Sequence, residues 1–297
     1  MEDTATCMLC GSRESERFPP RYLNGRLWRC LDCDLVFVHP QPAVAELTAL
    51  YGEEYFSNAN SNELGYSDYE GDRENIYRTF RRRLKSLQGV HPGKAAVLDV
   101  GCAYGMFLEV AAEAAWDVHG IDISEHAVKR AQERLGDRVR AGVFLEEELP
   151  SERYDVVTMW DYLEHTLDPK ADLAKARRLL VDGGILALAT PDVGSMAAKI
   201  FGHRWMGYKL DEHLVYFSRA TMRRFLEEAG FRIISMKHEG KYVSLRLFLQ
   251  RLCLYAPFIT PFVNLLRKAR AVPPISFYAS SRDILLVVAQ KSNHAAG

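Results

Sequence analysis

Residues 95–109 read AAVLDVGCAYGMFLE, and the fold is decided there. The run Ala95–Val100 is apolar except for Asp99, as expected of a strand buried on both faces. Gly101 and Gly105 then let the backbone turn tightly and approach a ligand. From Met106 the apolar residues recur at helical spacing. The spacing is GxxxG and not GxGxxG, which disfavours a dinucleotide site. Asp99 closes an apolar strand, where a carboxylate needs a reason; a cationic or hydrogen-bonding ligand is one. Twenty-three residues on, Asp122 ends a second apolar run, WDVHGID. An acid there accepts both hydroxyls of an unphosphorylated ribose, or it caps the next helix.

Working outward, strands and helices alternate. EHAVKRAQERLG follows as a helix with Ser124 as N-cap, and then come strand YDVVTMW, helix DPKADLAKARRLLVDGG and strand ILALATP. The glycines are expected to stop the last of these helices. Helix SRATMRRFLEEAG and strands FRIISMKHEG and RDILLVVAQK complete the pattern. The expectation is an α/β protein with a doubly wound, mostly parallel sheet, its ligands beyond the carboxyl ends of the strands. The chain divides into a zinc-binding module at 1–42, a helical linker or lid at 43–94 and the α/β domain at 95–297, which carries a helical insertion at about 242–272. Residues 57–68, rich in Asn and Ser, read as a linker or loop. Within the helix expected at 69–88, Arg81, Arg82, Arg83 and Lys85 read as a solvated face.

Cys7 and Cys10 form one CxxC pair and Cys30 and Cys33 another, with nineteen residues between Cys10 and Cys30. Two such turns supply four sulfurs in a tetrahedron, as structural zinc prefers; four thiolates leave no open position for catalysis. Iron takes the same ligand set.

The 297 residues carry 38 Lys plus Arg and 39 Asp plus Glu, a formal charge of −1. That balance excludes nucleic-acid binding through overall charge. The first 33 residues hold five basic and five acidic side chains, so the cysteine module does not track phosphates either. With 48% apolar residues a sizeable core is expected. No apolar run reaches spanning length, and the acidic start MEDTATCMLCG is not a secretory signal. A cytoplasmic location is expected.

The residues also carry a family resemblance. VLDVGCAYGMFLE resembles motif I of class I S-adenosylmethionine-dependent methyltransferases, and GIDIS their acidic ribose-binding motif. YDVVTMWDYLEHTLDP and LLVDGGILALATP are similar to their strand-four and strand-five motifs. The CxxC pairs, HPQP, LYGEEYF and a W…H…FS pattern after strand five resemble a subgroup acting on small molecules and sugars. The resemblance implies that the doubly wound, mostly parallel sheet is seven-stranded and that Asp99, Gly101, Cys102 and Gly105 line the methionine part of S-adenosylmethionine. It implies that Asp122 holds the ribose, that Ile123 and Phe144 lie by the adenine, and that Trp160 and Asp161 flank the methionine or the acceptor. The segment AGVFLEEEL lacks the polar residue that usually follows its glycine.

Methyl transfer to a hydroxyl needs a base. His165, just after strand four, is the first candidate and His213 the second; each is alternatively structural. Asp161, Glu164 and His165 are also a candidate divalent-ion set, as in related quinone O-methyltransferases. From Lys241 to Arg282 there is no acidic residue. This basic, apolar insertion reads as a lid or as core packing, with peripheral contact at the inner membrane face or a dimer contact as alternatives. The expected activity is methylation of a small-molecule, sugar-linked or lipid-linked acceptor, in the first instance at oxygen. Alternatives are C-methylation of a nucleotide-linked ketosugar and a catalytically inactive zinc-containing interaction protein. A nucleic-acid acceptor is not expected, and the oligomeric state is not legible.

Overall fold

A computed structural model describes residues 5–18, 25–52, 55, 72–209, 211–268 and 272–292. The linker expected at 57–68 lies outside them. In chain order the elements begin with β1 (Ser15–Arg17), β2 (Leu27–Cys30), β3 (Val36–Val38), α1 (Val44–Leu50) and α2 (Arg73–Gln88). Then come β4 (Ala96–Val100), α3 (Met106–Glu113), β5 (Asp117–Asp122), α4 (Glu125–Leu135), β6 (Val139–Ala141) and β7 (Tyr154–Trp160). They continue as α5 (Pro169–Leu179), β8 (Leu180–Pro191), α6 (Met196–Phe201), β9 (Val215–Tyr216), α7 (Arg219–Glu228) and β10 (Phe231–His238). The chain closes with β11 (Lys241–Ser244), α8 (Leu245–Tyr255), α9 (Thr260–Lys268), β12 (Ser276–Ala279) and β13 (Ile284–Lys291).

Seven strands form the main sheet in the order β10-β13-β8-β7-β4-β5-β6. The pairs β8-β7, β7-β4, β4-β5 and β5-β6 are parallel, while β13 pairs antiparallel with both β8 and β10. The strand order reverses between β4 and β7, so the crevice for a ligand opens at their carboxyl ends. Alternate residues serve opposite faces, as strand geometry requires. Val97 and Val156 join a core with Phe107, Val110 and Val128 from α3 and α4. Leu98 and Val157 join the opposite core with Leu173, Leu179 and Phe225 from α5 and α7. Helix starts are set locally: Ser124, Asp168 and Ser218 accept backbone N–H groups of Ala127, Ala171 and Thr221.

Two sequence expectations are corrected. Gly183 and Gly184 do not stop α5. That helix ends at Leu179, and Leu180 is already extended because it pairs with Tyr154 of β7. The glycines lie inside β8, beside the register shift between Tyr154 and Val156. Nor does Arg83 belong to a solvated face. It is 2% exposed, turned inward from α2 to ion-pair with Glu239. Arg81, Arg82 and Lys85 do face solvent.

A second, four-stranded sheet runs β1-β2-β3-β9. Its first three strands come from the cysteine-bearing segment, and the fourth from the loop after β8. The insertion folds as α8 and α9 joined by a 3-10 turn, Pro257–Ile259, on the two-stranded β11-β12 ribbon. Among the described residues no helix is long and apolar enough to cross a membrane.

Candidate active site

One cavity of about 1820 Å³ runs from the β4–α3 loop to the insertion. Clefts for single ligands are roughly 300–1,000 Å³, so cofactor and acceptor fit together.

At one end the backbone makes the site. Gly101 and Gly105 take φ of +74° and +73°. A Cβ on Gly101 would meet the Tyr162 ring at 2.8 Å, so this turn admits only glycine. Asp122 accepts from Ala103 N at 2.8 Å through one oxygen and from Ser124 N at 2.9 Å through the other. It therefore bridges the turn and the start of α4, and its second lone pairs remain for a ligand. Burial pushes its carboxyl up. Asp99 accepts from Thr158 Oγ1 at 2.6 Å, and burial pushes its carboxyl up to about 8, the nearby Asp122 adding to the rise. Two buried carboxyl groups thus face one cleft with no ion pair to either among the described residues, and a cationic, ribose-bearing molecule suits that pair. Ile123 lines the same end. So does Phe144, whose backbone oxygen is held by Lys175 Nζ. The Cys102 thiol packs towards Gly120, where a Cβ would come within 2.9 Å, and forms part of the floor.

The exit of β7 joins the two ends. Trp160 packs edge-on against Phe107 at 5.3 Å between ring centres, with the Arg83 guanidinium 4.8 Å from its own ring centre. Asp161 sits at φ +51°. Burial opposes its ionisation, but Lys241, 3.0 Å away, and Arg83 outweigh that and hold its carboxyl down at about 2.

Beyond Asp161 lies a cluster of neutral groups. His165 Nδ1 is 2.9 Å from the Glu212 carbonyl oxygen, and Tyr51 Oη lies 2.8 Å from the same nitrogen. The Glu212 carbonyl only accepts, and that bond assigns the proton to Nδ1 and a lone pair to Nε2, whereas a proton donated by Tyr51 Oη would assign the opposite tautomer. His213 is held in the same way, its Nδ1 2.9 Å from the Gly207 carbonyl oxygen. The two imidazoles meet edge-to-face at 4.7 Å. Burial pushes His165 down to about 4 and His213 well below its ordinary value. Glu164 is 2% exposed, and neither carboxylate oxygen has a hydrogen-bond partner among the described residues. Burial, with the Asp161 charge, pushes it up to about 8. Glu164, His165 and His213 place ligand atoms within 4.8 Å of one another. Asp161, expected from the sequence as a third member with Glu164 and His165, is not in that group; it pairs with Lys241 and Arg83 instead.

Sequence reading did not single out Tyr51, Arg83, Glu212 or Lys241. Only the position of Tyr51 in LYGEEY, a stretch already marked by the resemblance, was a signal. Arg83 was hidden in a basic run.

Away from the cavity, the four N-terminal thiols converge. Cys7 Sγ lies 3.5 Å from Cys33 Sγ, and Cys10 Sγ lies 3.5 Å from Cys30 Sγ. All four are within 4.8 Å of one another and none is in a disulfide. Zn–S bonds of about 2.3 Å in a tetrahedron put sulfurs roughly 3.8 Å apart, so this arrangement fits a zinc ion.

Comparisons with known proteins bear on the family and the fold. The family described as methyltransferase domain matches residues 69–236, more than half the chain. The ubiquinone biosynthesis O-methyltransferase of Leptothrix cholodnii is 37% identical over 102 residues, covering 32% of this chain and 43% of that protein. Its counterpart in Psychrobacter arcticus is 37% identical over 149 residues, covering 46% of this chain and 58% of that one. The chain thus spans about half the length of the curated relatives it matches. Among solved structures, a Burkholderia thailandensis 1,6-didemethyltoxoflavin-N1-methyltransferase, bound to 1,6-didemethyltoxoflavin and S-adenosylhomocysteine, superposes with TM-score 0.51 at 17% identity. It covers 89% of this chain and 98% of that one. The YcgJ protein of Bacillus subtilis gives 0.50 at 16% identity over 72% of this chain and 99% of that one. At these identities the structures speak for the fold, and the family match for the class. The chain belongs to the methyltransferase-domain family and has the Rossmann-like fold of class I methyltransferases.

Proposed function

We propose that the protein methylates a hydroxyl oxygen of a small lipophilic acceptor. The observation that carries this reading is the half-buried neutral His165, its Nε2 lone pair beside the buried Glu164, in the cavity that also holds Asp99 and Asp122. S-adenosylmethionine, when bound, supplies an electrophilic methyl group on a sulfonium, so the protein has chiefly to align and to move a proton. Asp122 holds the ribose hydroxyls, with Gly101, Cys102 and Gly105 shaping the turn around the methionine part. Asp99 sits beneath its charged end, and Ile123 and Phe144 line the adenine. Trp160 walls the passage to the acceptor. His165 Nε2 receives the acceptor proton while the Glu212 carbonyl holds its Nδ1–H and steadies the ring. His213 is the second wall of that pocket. Cys7, Cys10, Cys30 and Cys33 hold a structural zinc ion. The names of the curated relatives support oxygen as the methylated atom and a quinone-like small molecule as the acceptor class.

The lipophilic character rests on the insertion. Leu247, Leu252, Tyr255 and Val263 line the cavity from α8 and α9. The outer side of the same insertion presents Phe258, Phe262 and Leu265 to solvent, at 84%, 62% and 63% exposure. An apolar face in a segment without acids suits an anionic membrane surface, and we propose peripheral contact there, on the cytoplasmic side. Labelled S-adenosylmethionine incubated with the protein and a fractionated cell extract tests both points. Label in the organic phase is expected; label confined to water-soluble sugars overturns the reading.

A further inference from the structure

The cysteine module reaches the acceptor pocket through a continuous path of backbone bonds. Cys30 ends β2 and Cys33 closes the turn, with Asp34 N bonded to Cys30 O at 3.0 Å and Cys30 N to Leu35 O at 2.9 Å. The next residues are β3, which pairs antiparallel with β9: Val36 opposite Tyr216 and Phe37 opposite Val215. Val38 N donates to Leu214 O at 2.9 Å, and Leu214 N donates in turn to Glu164 O at 2.7 Å. His213 and Glu212 are the residues immediately before that junction, and the Glu212 carbonyl holds the His165 ring.

Strand β9 is only two residues long. A strand so short does not stand by its own pairing. Apart from β3, its segment has one further sheet contact among the described residues, the bridge between Asp192 and Phe217. Packing also joins the module to this segment, but the same core takes in Leu98, Val100 and Ile121, so it is the backbone path that separates the two regions. Cys7, Leu9, Trp28, Cys30 and Phe37 share one buried core with Leu163, Leu214, Val215 and Phe217. Leu214, Val215 and Phe217 are each 0% exposed.

We infer that the four-cysteine metal centre is a stake for the acceptor site: by fixing β3 it fixes β9, and so sets Glu212 and His213 against His165. Binding metal to four cysteines supplies local folding free energy, and local stability varies along a chain. Releasing the metal therefore loosens the 211–217 segment first. The turn after β4 and the end of β5 bond to each other instead, Gly101 N to Ile121 O at 2.8 Å, and do not run through this path. Glu212 and His213 are positioning residues in this account. The inference rests on the proposed location of the acceptor pocket, not on the identity of the acceptor.

The test compares the full chain loaded with zinc, the same chain stripped with a chelator, and Cys33→Ser, with metal content measured in each. Hydrogen exchange is followed in peptides covering 211–217 and 97–122, and S-adenosylhomocysteine affinity by calorimetry. Exchange at 211–217 is expected to quicken by about tenfold or more on metal loss, with 97–122 unchanged and the dissociation constant within about threefold. Unchanged exchange at 211–217 overturns the inference, because the module is then independent of the site. Uniform loss of protection together with loss of S-adenosylhomocysteine binding also overturns it, because the metal then holds the whole fold. Neither readout involves the acceptor, so an error about its hydroxyl is revealed separately by the labelling experiment.

Discussion

The two ends of the cavity are built in different ways. The end proposed for the cofactor comes mostly from one stretch of about thirty residues, β4 to β5, with Phe144 added from beyond β6, and its polar groups are backbone turns and two carboxyl groups. The end proposed for the acceptor is collected from distant segments: Tyr51 after α1, Glu164 and His165 after β7, Glu212 and His213 before β9, and Lys241 at the start of the insertion. The first is conformationally fixed by glycine and strand pairing. The second is held by a chain of hydrogen bonds and buried charges, and it can be loosened piece by piece.

That contrast can be broken most severely at His165. His165→Ala is expected to lower turnover by roughly 10²–10⁴-fold, the usual contribution of a positioned base, while S-adenosylhomocysteine affinity in calorimetry stays near wild type. The acid limb of the wild-type kcat/KM profile should fall near pH 4, following the lowered His165, and not near an ordinary histidine value. At the other end, Asp122→Ala is expected to weaken cofactor binding about a hundredfold or more, with an unchanged far-ultraviolet spectrum, because it removes an acceptor buried against the ligand. A wild-type affinity would sink the ribose assignment.

Arg83→Met probes the charged bridge between the ends. It leaves Asp161 and Glu239 without their buried partner, and breaking such a pair costs roughly 3–5 kcal/mol. A clear fall in the urea midpoint is expected, whereas Lys85→Ala, on the exposed side of the same helix, should stay within about 0.5 kcal/mol. Asp99→Asn sharpens the cofactor side. The folded protein raises the Asp99 pKa from 3.8 to about 8. Its stabilising share is therefore complete below about pH 4 and is lost as pH rises towards 8. Asp99→Asn should melt above wild type by a few degrees at pH 8, with no such advantage at pH 4, and should bind cofactor more weakly. The smallest effect belongs to the periphery. Phe258→Ser with Phe262→Ser should reduce co-sedimentation with anionic vesicles by roughly tenfold. Turnover of a detergent-solubilised acceptor should not change.

Much of this molecule is legible in its sequence, and for stated reasons. Strand β4 shows because its residues are buried on both faces, so Val97, Leu98 and Val100 leave an unbroken apolar run around Asp99. Gly101 shows because its turn has no room for a Cβ. The four cysteines show because a metal knuckle is a local device with fixed spacing. Arg83 does not show, since a lone inward arginine in a basic run differs from its neighbours only by the partner it meets, Glu239, which is 156 positions away. The glycines of β8 mislead because strand pairing with Tyr154 overrides a local stop signal. Strand β9 is invisible, because two residues carry no periodicity and its partner lies in another part of the chain. Local devices are written locally, and the acceptor end is written in tertiary contacts.

The central claim is that cofactor binding and proton removal reside at separate ends of one cavity. Its most direct test is a crossed pair of measurements on Asp122→Ala and His165→Ala: S-adenosylhomocysteine affinity by calorimetry, and single-turnover methyl transfer to the organic-extractable acceptor at saturating labelled S-adenosylmethionine. The account predicts that Asp122→Ala loses affinity but recovers transfer as cofactor is raised, while His165→Ala keeps affinity and loses transfer at every concentration. A His165→Ala protein that transfers methyl at the wild-type rate, or loses cofactor affinity as fully as Asp122→Ala, contradicts it.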